Sequence, residues 1–390
     1  MMTIQKLITR PLLLILLVGL APSLLSCSKQ TSINSPNTPQ TNVNTSIEEP
    51  LEVATIEGDH YIAIAAPLTG PYKELGNSIV EGASFAVEEF NMTEAPEKHK
   101  IGTLIIDDGG LVSEGLARAD LVIAQNALGV VGHLNSAISI ETSKKYSQSG
   151  IAEISPASTN PKLTERTDIK GYVYRTIGTD RQLGDVAARY VMSNAQFKRV
   201  AVLYNDRAYG VSVASEFVRV LARDQEKEIV LYQAIPVRTT EHRATANKVA
   251  ETKADLVFFI GEYNDAAYLI KELKNASPET QFLAAEGVHH QTFIDLADGA
   301  AEGALVIGTA PAPDFIRERY KQKYNKESSG YVGTSYRATM LLLQAIKANK
   351  YKNPESIAVT LGENKIFDPN GDLIEPDFVI YKVAGSKFVN

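Results

Sequence analysis

The chain has 390 residues, with 46 Asp and Glu against 39 Lys and Arg, a net charge of −7, no Trp and one Cys. An acidic chain without a Lys/Arg cluster is a poor match for nucleic acid, and a single cysteine excludes an internal disulfide. The length is too great for one ordinary hydrophobic core.

The first element in chain order is a leader. Lys6 and Arg10 precede an apolar run from Leu12 to Leu20, and Leu24-Leu25-Ser26-Cys27 follows. This is the layout of a secretory signal peptide over residues 1–26, too short for a comfortable membrane span. Its last four residues resemble the bacterial lipobox, which implies lipidation of Cys27 and attachment to a bacterial membrane. Leu25 is bulkier than the Ala or Ser usual at that place, and a plain secreted protein with an incidental cysteine is the alternative. Cleavage removes Lys6 and Arg10 and no acid, leaving 37 bases against 46 acids and a net charge of −9. The mature protein would thus hold to a membrane through lipid, not through a basic face. Residues 27–58 are rich in Ser, Thr, Asn, Gln and Pro without a regular period, and read as a disordered tether.

From Tyr61 the chain alternates short apolar runs with longer amphipathic stretches, the signature of an α/β protein with mainly parallel sheets. Tyr61 to Ala66 predicts a strand, and Gly76 to Asn91 a helix with Ile79, Ala83, Val87 and Phe90 on one face. Leu104 to Ile106, Gly129 to Val131 and Ala152 to Ile154 continue a first strand series. Val200 to Tyr204, Ile229 to Ala234, Leu256 to Ile260 and Gln281 to Ala284 make a second. Two lobes are expected.

Enzymatic machinery is not visible in this pattern. No strand leads into GxGxxG or GxxxxGK[ST], and Gly109-Gly110 after Asp107-Asp108 reads as a polar turn. The six histidines lack metal spacing, and no GxSxG elbow occurs. The expectation is a protein that is not an enzyme and takes no cofactor, no metal and no nucleic acid. One residue does stand where a ligand would be held. Ser136 follows a strand and precedes a helical stretch, where open α/β sheets offer unpaired N–H groups to an anion. Its alternative role is a helix N-cap.

Longer stretches carry a resemblance. Ala65-Ala66-Pro67-Leu68-Thr69-Gly70-Pro71, Gly132-His133-Leu134-Asn135-Ser136, Ile154 to Thr164, Tyr209-Gly210, Glu286-Gly287-Val288, Ala301-Glu302-Gly303 and Phe367 to Asp372 resemble, in order, the leucine/isoleucine/valine-binding family. These are type I periplasmic solute-binding proteins of ABC amino-acid importers. The resemblance spans nearly everything after residue 60. It implies two Rossmann-like lobes joined by three chain crossings, near Arg175 to Gly178, Glu302 to Leu305 and Ile366 to Asp368. Lobe 1 would then comprise residues 59–176 and 304–366, and lobe 2 residues 177–303 and 367–390.

The same resemblance implies the site. Ser136, with Ala157 and Thr159 in the loop after Pro156, would hold a ligand carboxylate, and Glu286 the α-ammonium. Three neutral donors beside helix dipoles can hold a carboxylate without an arginine. Tyr209 and Tyr331 match ligand-contacting aromatics and read equally well as packing residues. Leu75 stands where the family often has an aromatic lid, and Glu262 where it often has a tyrosine. Glu262 has two readings, a partner for a polar or basic ligand side chain or a solvent-facing acid. The implied partners are an amino acid and an ABC permease. A sensor built on the same fold is the alternative, separable only by its partner.

Overall fold

The computed structural model describes residues 54–375 and 378–390. The leader, Cys27 and most of the tether lie outside them. The strands are β1 (Ala54–Ile56), β2 (His60–Ala66), β3 (Ile101–Asp107), β4 (Val130–Gly132), β5 (Glu153–Ser155), β6 (Val173–Arg175), β7 (Arg199–Asn205), β8 (Glu228–Ile235), β9 (Leu256–Ile260), β10 (Gln281–Ala284), β11 (Leu305–Thr309), β12 (Phe378–Ala384) and β13 (Lys387–Val389). The helices are α1 (Lys73–Thr93), α2 (Val112–Ala124), α3 (Ser136–Gln148), α4 (Asp180–Ser193), α5 (Ala208–Leu221), α6 (Arg243–Thr252), α7 (Tyr263–Ala276), α8 (Gln291–Ala297), α9 (Asp314–Tyr324), α10 (Val332–Ala348) and α11 (Pro354–Gly362).

Two sheets result, one of six strands in the order β1-β3-β2-β4-β5-β6 and one of seven in the order β13-β12-β11-β10-β9-β7-β8. The strands β2 to β6 are parallel in the first, and β7 to β11 in the second. The antiparallel additions are β1 at one edge and the β12-β13 pair at the other. Each parallel set runs outward from its first strand in both directions. The order therefore reverses between β2 and β4 in one sheet and between β7 and β9 in the other, and such switch points are where open α/β sheets bind ligands.

Burial explains why these segments form these elements. Leu256, Val257, Phe258, Phe259 and Ile260 of β9 are all fully buried, as a central strand covered by helices on both faces requires. The α1 stripe Ile79, Ala83, Val87 and Phe90 faces the core at helical spacing, none of it more than 4% exposed. Helix α10 packs on α1 at Gly82, where an added Cβ would stand 2.3 Å from the Val332 carbonyl oxygen. The helix α4 that opens the second half is capped by Thr179 and Gln182 in a reciprocal capping box.

Two of the expected crossings move. Leu305–Thr309 is not a link out of the second sheet but one of its strands, paired with β10 and β12. The middle crossing, expected at Glu302 to Leu305, therefore follows Thr309. Residues 367–373 also stay with the first sheet: the Phe367 ring packs at a tilt against Tyr174, and the Arg175 N–H donates to the Gly371 carbonyl at 3.0 Å. Asp372 forms an ion pair with Arg175 Nε at 2.6 Å. A fully buried guanidinium demands a counter-charge, and that demand ties this loop to β6. The chain re-enters the second sheet at Phe378, beyond the crossing expected at Ile366 to Asp368.

Candidate functional site

The first half of the site is built from the ends of β4 and β5. Ser136 is the first residue of α3, and the N-cap position belongs to Asn135, whose side chain makes no capping bond. The N-cap role weighed for Ser136 is therefore not the one it fills. The Ile138 and Ser139 N–H groups donate to the Asn135 carbonyl at 2.9 and 3.1 Å, which leaves those of Ser136 and Ala137 as the free donors of the first turn, at the positive end of the helix dipole. Ser136 Oγ accepts only a long bond from the Asn160 N–H, at 3.4 Å. In the neighbouring loop, Thr159 is fully buried, and its hydroxyl faces the buried carboxyl of Asp180, which burial pushes up to about 6 against the opposing hydrogen bonds of Ser212 and Thr159. The Ala157 N–H already donates to Ser155 Oγ at 3.3 Å.

An arginine does serve this half, from behind. Arg175 Nη1 donates to the Ser158 carbonyl at 2.8 Å, and Nη2 to the Asn160 carbonyl at 3.0 Å and to Thr164 Oγ1 at 2.7 Å. The guanidinium thus clamps the backbone on both sides of Thr159. Beneath Ser136 lies a second support, in which His133 Nδ1 meets Asp108 Oδ2 at 2.7 Å with both side chains fully buried. Burial would lower the imidazole pKa, but the Asp108 hydrogen bond and charge outweigh it and hold His133 above its usual value. The His133 carbonyl accepts from Ser155 Oγ at 3.0 Å and from Ser158 Oγ at 3.2 Å. The two loops are stitched together before any ligand touches them.

The second half comes from β7, β9 and β10 and has the opposite character. Glu286 opens a short 3-10 turn after β10 and is 5% exposed. Its Oε2 accepts from the Tyr209 hydroxyl at 2.6 Å, and burial pushes its carboxyl up to about 8. Glu262, also 5% exposed, ends β9 as the N-cap residue of α7. Its Oε2 accepts from Asn205 Nδ2 at 3.0 Å. Burial, with the charge of Asp265 adding to it, raises Glu262 to about 7. Of the two readings of Glu262, solvent exposure is the one the structure contradicts.

Leu75, Ser136, Ala157, Thr159, Tyr209, Glu262, Glu286 and Tyr331 all line one pocket, together with Leu134, Asn135 and Gly287. The space free of atoms within and around it, open solvent included, is about 300 Å³. Leu75 is fully buried and Tyr331 5% exposed, and the phenols of Tyr209 and Tyr331 both feel the charge of Glu286. The two halves also touch directly. Tyr263 Oη donates to the Pro71 carbonyl at 2.7 Å, Asn160 Nδ2 to the Ala208 carbonyl at 2.9 Å, and Arg238 Nη2 reaches the Gly109 and Gly110 carbonyls at 3.4 and 3.3 Å. Chemically the pocket is a set of neutral donors facing buried carboxylates. Among the described residues, no cluster of three or more His, Cys, Asp or Glu side chains could hold a metal.

Sequence reasoning missed Arg175, Asn205 and the Asp108-His133 pair as parts of this site. Arg175 was read only as a hinge boundary; its partner Asp372 is nearly 200 positions away, and no local pattern links them.

Two α/β units with a pocket at the carboxyl ends of both parallel sheets define a two-lobed solute-binding protein. The model of the periplasmic binding protein family matches residues 60–377, and the chain belongs to that family. The Leu/Ile/Val-binding protein homolog 1 of Brucella suis is 29% identical over 337 residues, covering 83% of this chain and 90% of that protein. The leucine-, isoleucine-, valine-, threonine- and alanine-binding protein of Pseudomonas aeruginosa is 27% identical over 336 residues, 82% and 89% of the two chains. Among solved structures, the leucine-binding protein LivK of Thermotoga maritima superposes with a TM-score of 0.77 at 23% identity, over 85% of this chain and 97% of its own. An ABC transporter substrate-binding protein of Desulfitobacterium hafniense in complex with Leu does so with a TM-score of 0.69 at 25% identity, over 85% and 99%. The chain is an extracytoplasmic binding protein and not an enzyme. Among the described residues, no helix is long and apolar enough to cross a membrane.

Proposed function

We propose that the protein binds a free amino acid between its lobes, closes on it, and delivers it to an ABC permease while tethered to a bacterial membrane by a lipid on Cys27. The observation that carries this reading is the polarity of the pocket. The N–H groups of Ser136 and Ala137 at the start of α3 and the hydroxyls of Ser136 and Thr159 stand on one lobe, and the buried carboxyl of Glu286 stands on the other. A carboxylate satisfies the first set and an ammonium the second. Only a molecule carrying both, at the spacing of an α-amino acid, joins the lobes by both ends. Closure is favoured by the ligand's differential affinity for the closed form, so contacts that bridge the lobes drive it. Relatives that bind leucine, isoleucine or valine support an amino-acid ligand, and the lipobox-like Leu24-Leu25-Ser26-Cys27 supports the anchor.

Calorimetry of the purified chain with the common amino acids tests the site. At least one should bind with micromolar affinity or better, and binding should weaken in both Ser136→Ala and Glu286→Gln. Unchanged affinity in both variants would remove the assignment. The anchor is tested separately by metabolic labelling with a radioactive fatty acid, which should mark the wild-type chain and not Cys27→Ser.

A further inference from the structure

The site continues past the region that would hold the amino-acid head group. A second cavity, with about 330 Å³ free of atoms when open solvent is included, shares Asn135, Ser136, Tyr209 and Glu262 with the first and extends toward Gly110 and Arg207. Acceptors sit where the two cavities meet. Glu262, 5% exposed, spends Oε2 on Asn205, and its carboxylate takes no other hydrogen bond among the described residues. Asn135 Oδ1, which lines both cavities, is buried without a partner among the described residues.

The cations nearby leave these acceptors free. Arg207 and Arg238 lie over the Tyr72 ring, 5.5 and 5.4 Å from its centroid, and Arg238 donates to the Gly109 and Gly110 carbonyls. Neither forms an ion pair with Glu262 within 4.0 Å; both only favour its charged form from a distance. A buried carboxyl group with a single hydrogen bond is costly to leave beside an aliphatic chain and well served by an N–H donor.

Resting on the amino-acid reading above, we propose that the preferred ligand has a side chain ending in N–H donors, an ω-amide or an ω-cation, with Glu262 as the residue that selects it. A site built to hydrogen-bond a donor rejects the analogue lacking it strongly, because its own buried acceptors are then left unpaired. Leucine, isoleucine, valine and methionine leave Glu262 and Asn135 unsatisfied; glutamine, asparagine, lysine, ornithine or arginine reaches them.

The test is calorimetry and thermal shift on the purified full chain with those nine amino acids. The expected result is that at least one donor-bearing amino acid binds ten-fold or more tightly than every aliphatic one, and that Glu262→Leu erases this margin. Glu262→Gln, nearly isosteric and the safer variant for folding, separates the two donor classes. It should weaken a cationic side chain more than ten-fold and an amide by no more than a few-fold. Aliphatic ligands binding as tightly as all donor-bearing ones, or a margin that survives Glu262→Leu and Glu262→Gln, overturns the selection while leaving the amino-acid reading in place. No response to any of the nine overturns both.

Discussion

The two faces of the pocket solve different problems. On the first lobe the loops after β4 and β5 are already satisfied from behind: Arg175 clamps the carbonyls beside Thr159, and His133 with Asp108 anchors the turn into α3. On the second lobe Glu286 and Glu262 are buried with little support and are pushed up to about 8 and about 7. One face is pre-organised, and the other is held in an electrostatic deficit that a cation relieves. The contrast teaches how a hinge protein can couple binding to closure. The first lobe offers a rigid seat at little reorganisation cost, and the second gains only when an ammonium arrives with the ligand.

The comparison can be broken first at the rigid seat. Arg175→Met leaves Asp372 without its partner and removes the clamp on the Thr159 loop, so urea unfolding should report a loss of about 3 to 5 kcal/mol, as for a broken buried ion pair. Amino-acid affinity should fall with it. On the opposite face, Glu286→Gln removes a charge-assisted contact but relieves the buried acid. Calorimetry should therefore show binding weakened by about 1.5 to 3 kcal/mol, with no loss of stability.

The acidic face also has a pH signature. Glu286 has a raised value in the fold, so its protonation stabilises the folded protein; that contribution is full below about pH 4.5 and is lost as the pH rises through about 8. A proton and the ligand's ammonium compete for the same carboxylate. Affinity should rise by up to about ten-fold per unit from pH 6 to pH 8, and the slope should flatten in Glu286→Gln. Calorimetry across that range reads it directly. The smallest effect expected is Ser136→Ala, about 1 kcal/mol of binding, because the helix N–H groups beside it remain.

Legibility in the sequence followed the range of the interactions. The alternation of apolar runs marked β2 to β5, β7, β9 and β10 because parallel strands buried on both faces are short and uninterrupted, and it marked β8 by its apolar residues although that edge strand is half exposed. Strand β1, which lies inside the stretch read as a disordered tether and pairs with β3, escaped notice, as did β6 and β11 to β13. The stretch Leu305–Thr309 follows directly on the Ala301-Glu302-Gly303 motif, and β12 and β13 are half exposed, so neither carries a continuous buried run. Ser136 was legible from its place between a strand and a helix, and the other pocket residues only through the family resemblance. Their supports were not. Arg175 with Asp372, and Asn205 with Glu262, are pairs made by folding, and nothing in the local spacing of either residue announces its partner.

The central claim is that one zwitterion joins a neutral donor face to a buried acid. The most direct measurement is calorimetry with the tightest-binding common amino acid beside its two truncated analogues, the carboxylic acid lacking the α-amino group and the amine lacking the carboxylate. The account predicts that each analogue binds at least about ten-fold more weakly than the amino acid, since each leaves one face unpaired. An analogue that binds as tightly as the parent would show that its missing group meets nothing in the site, and would contradict the account.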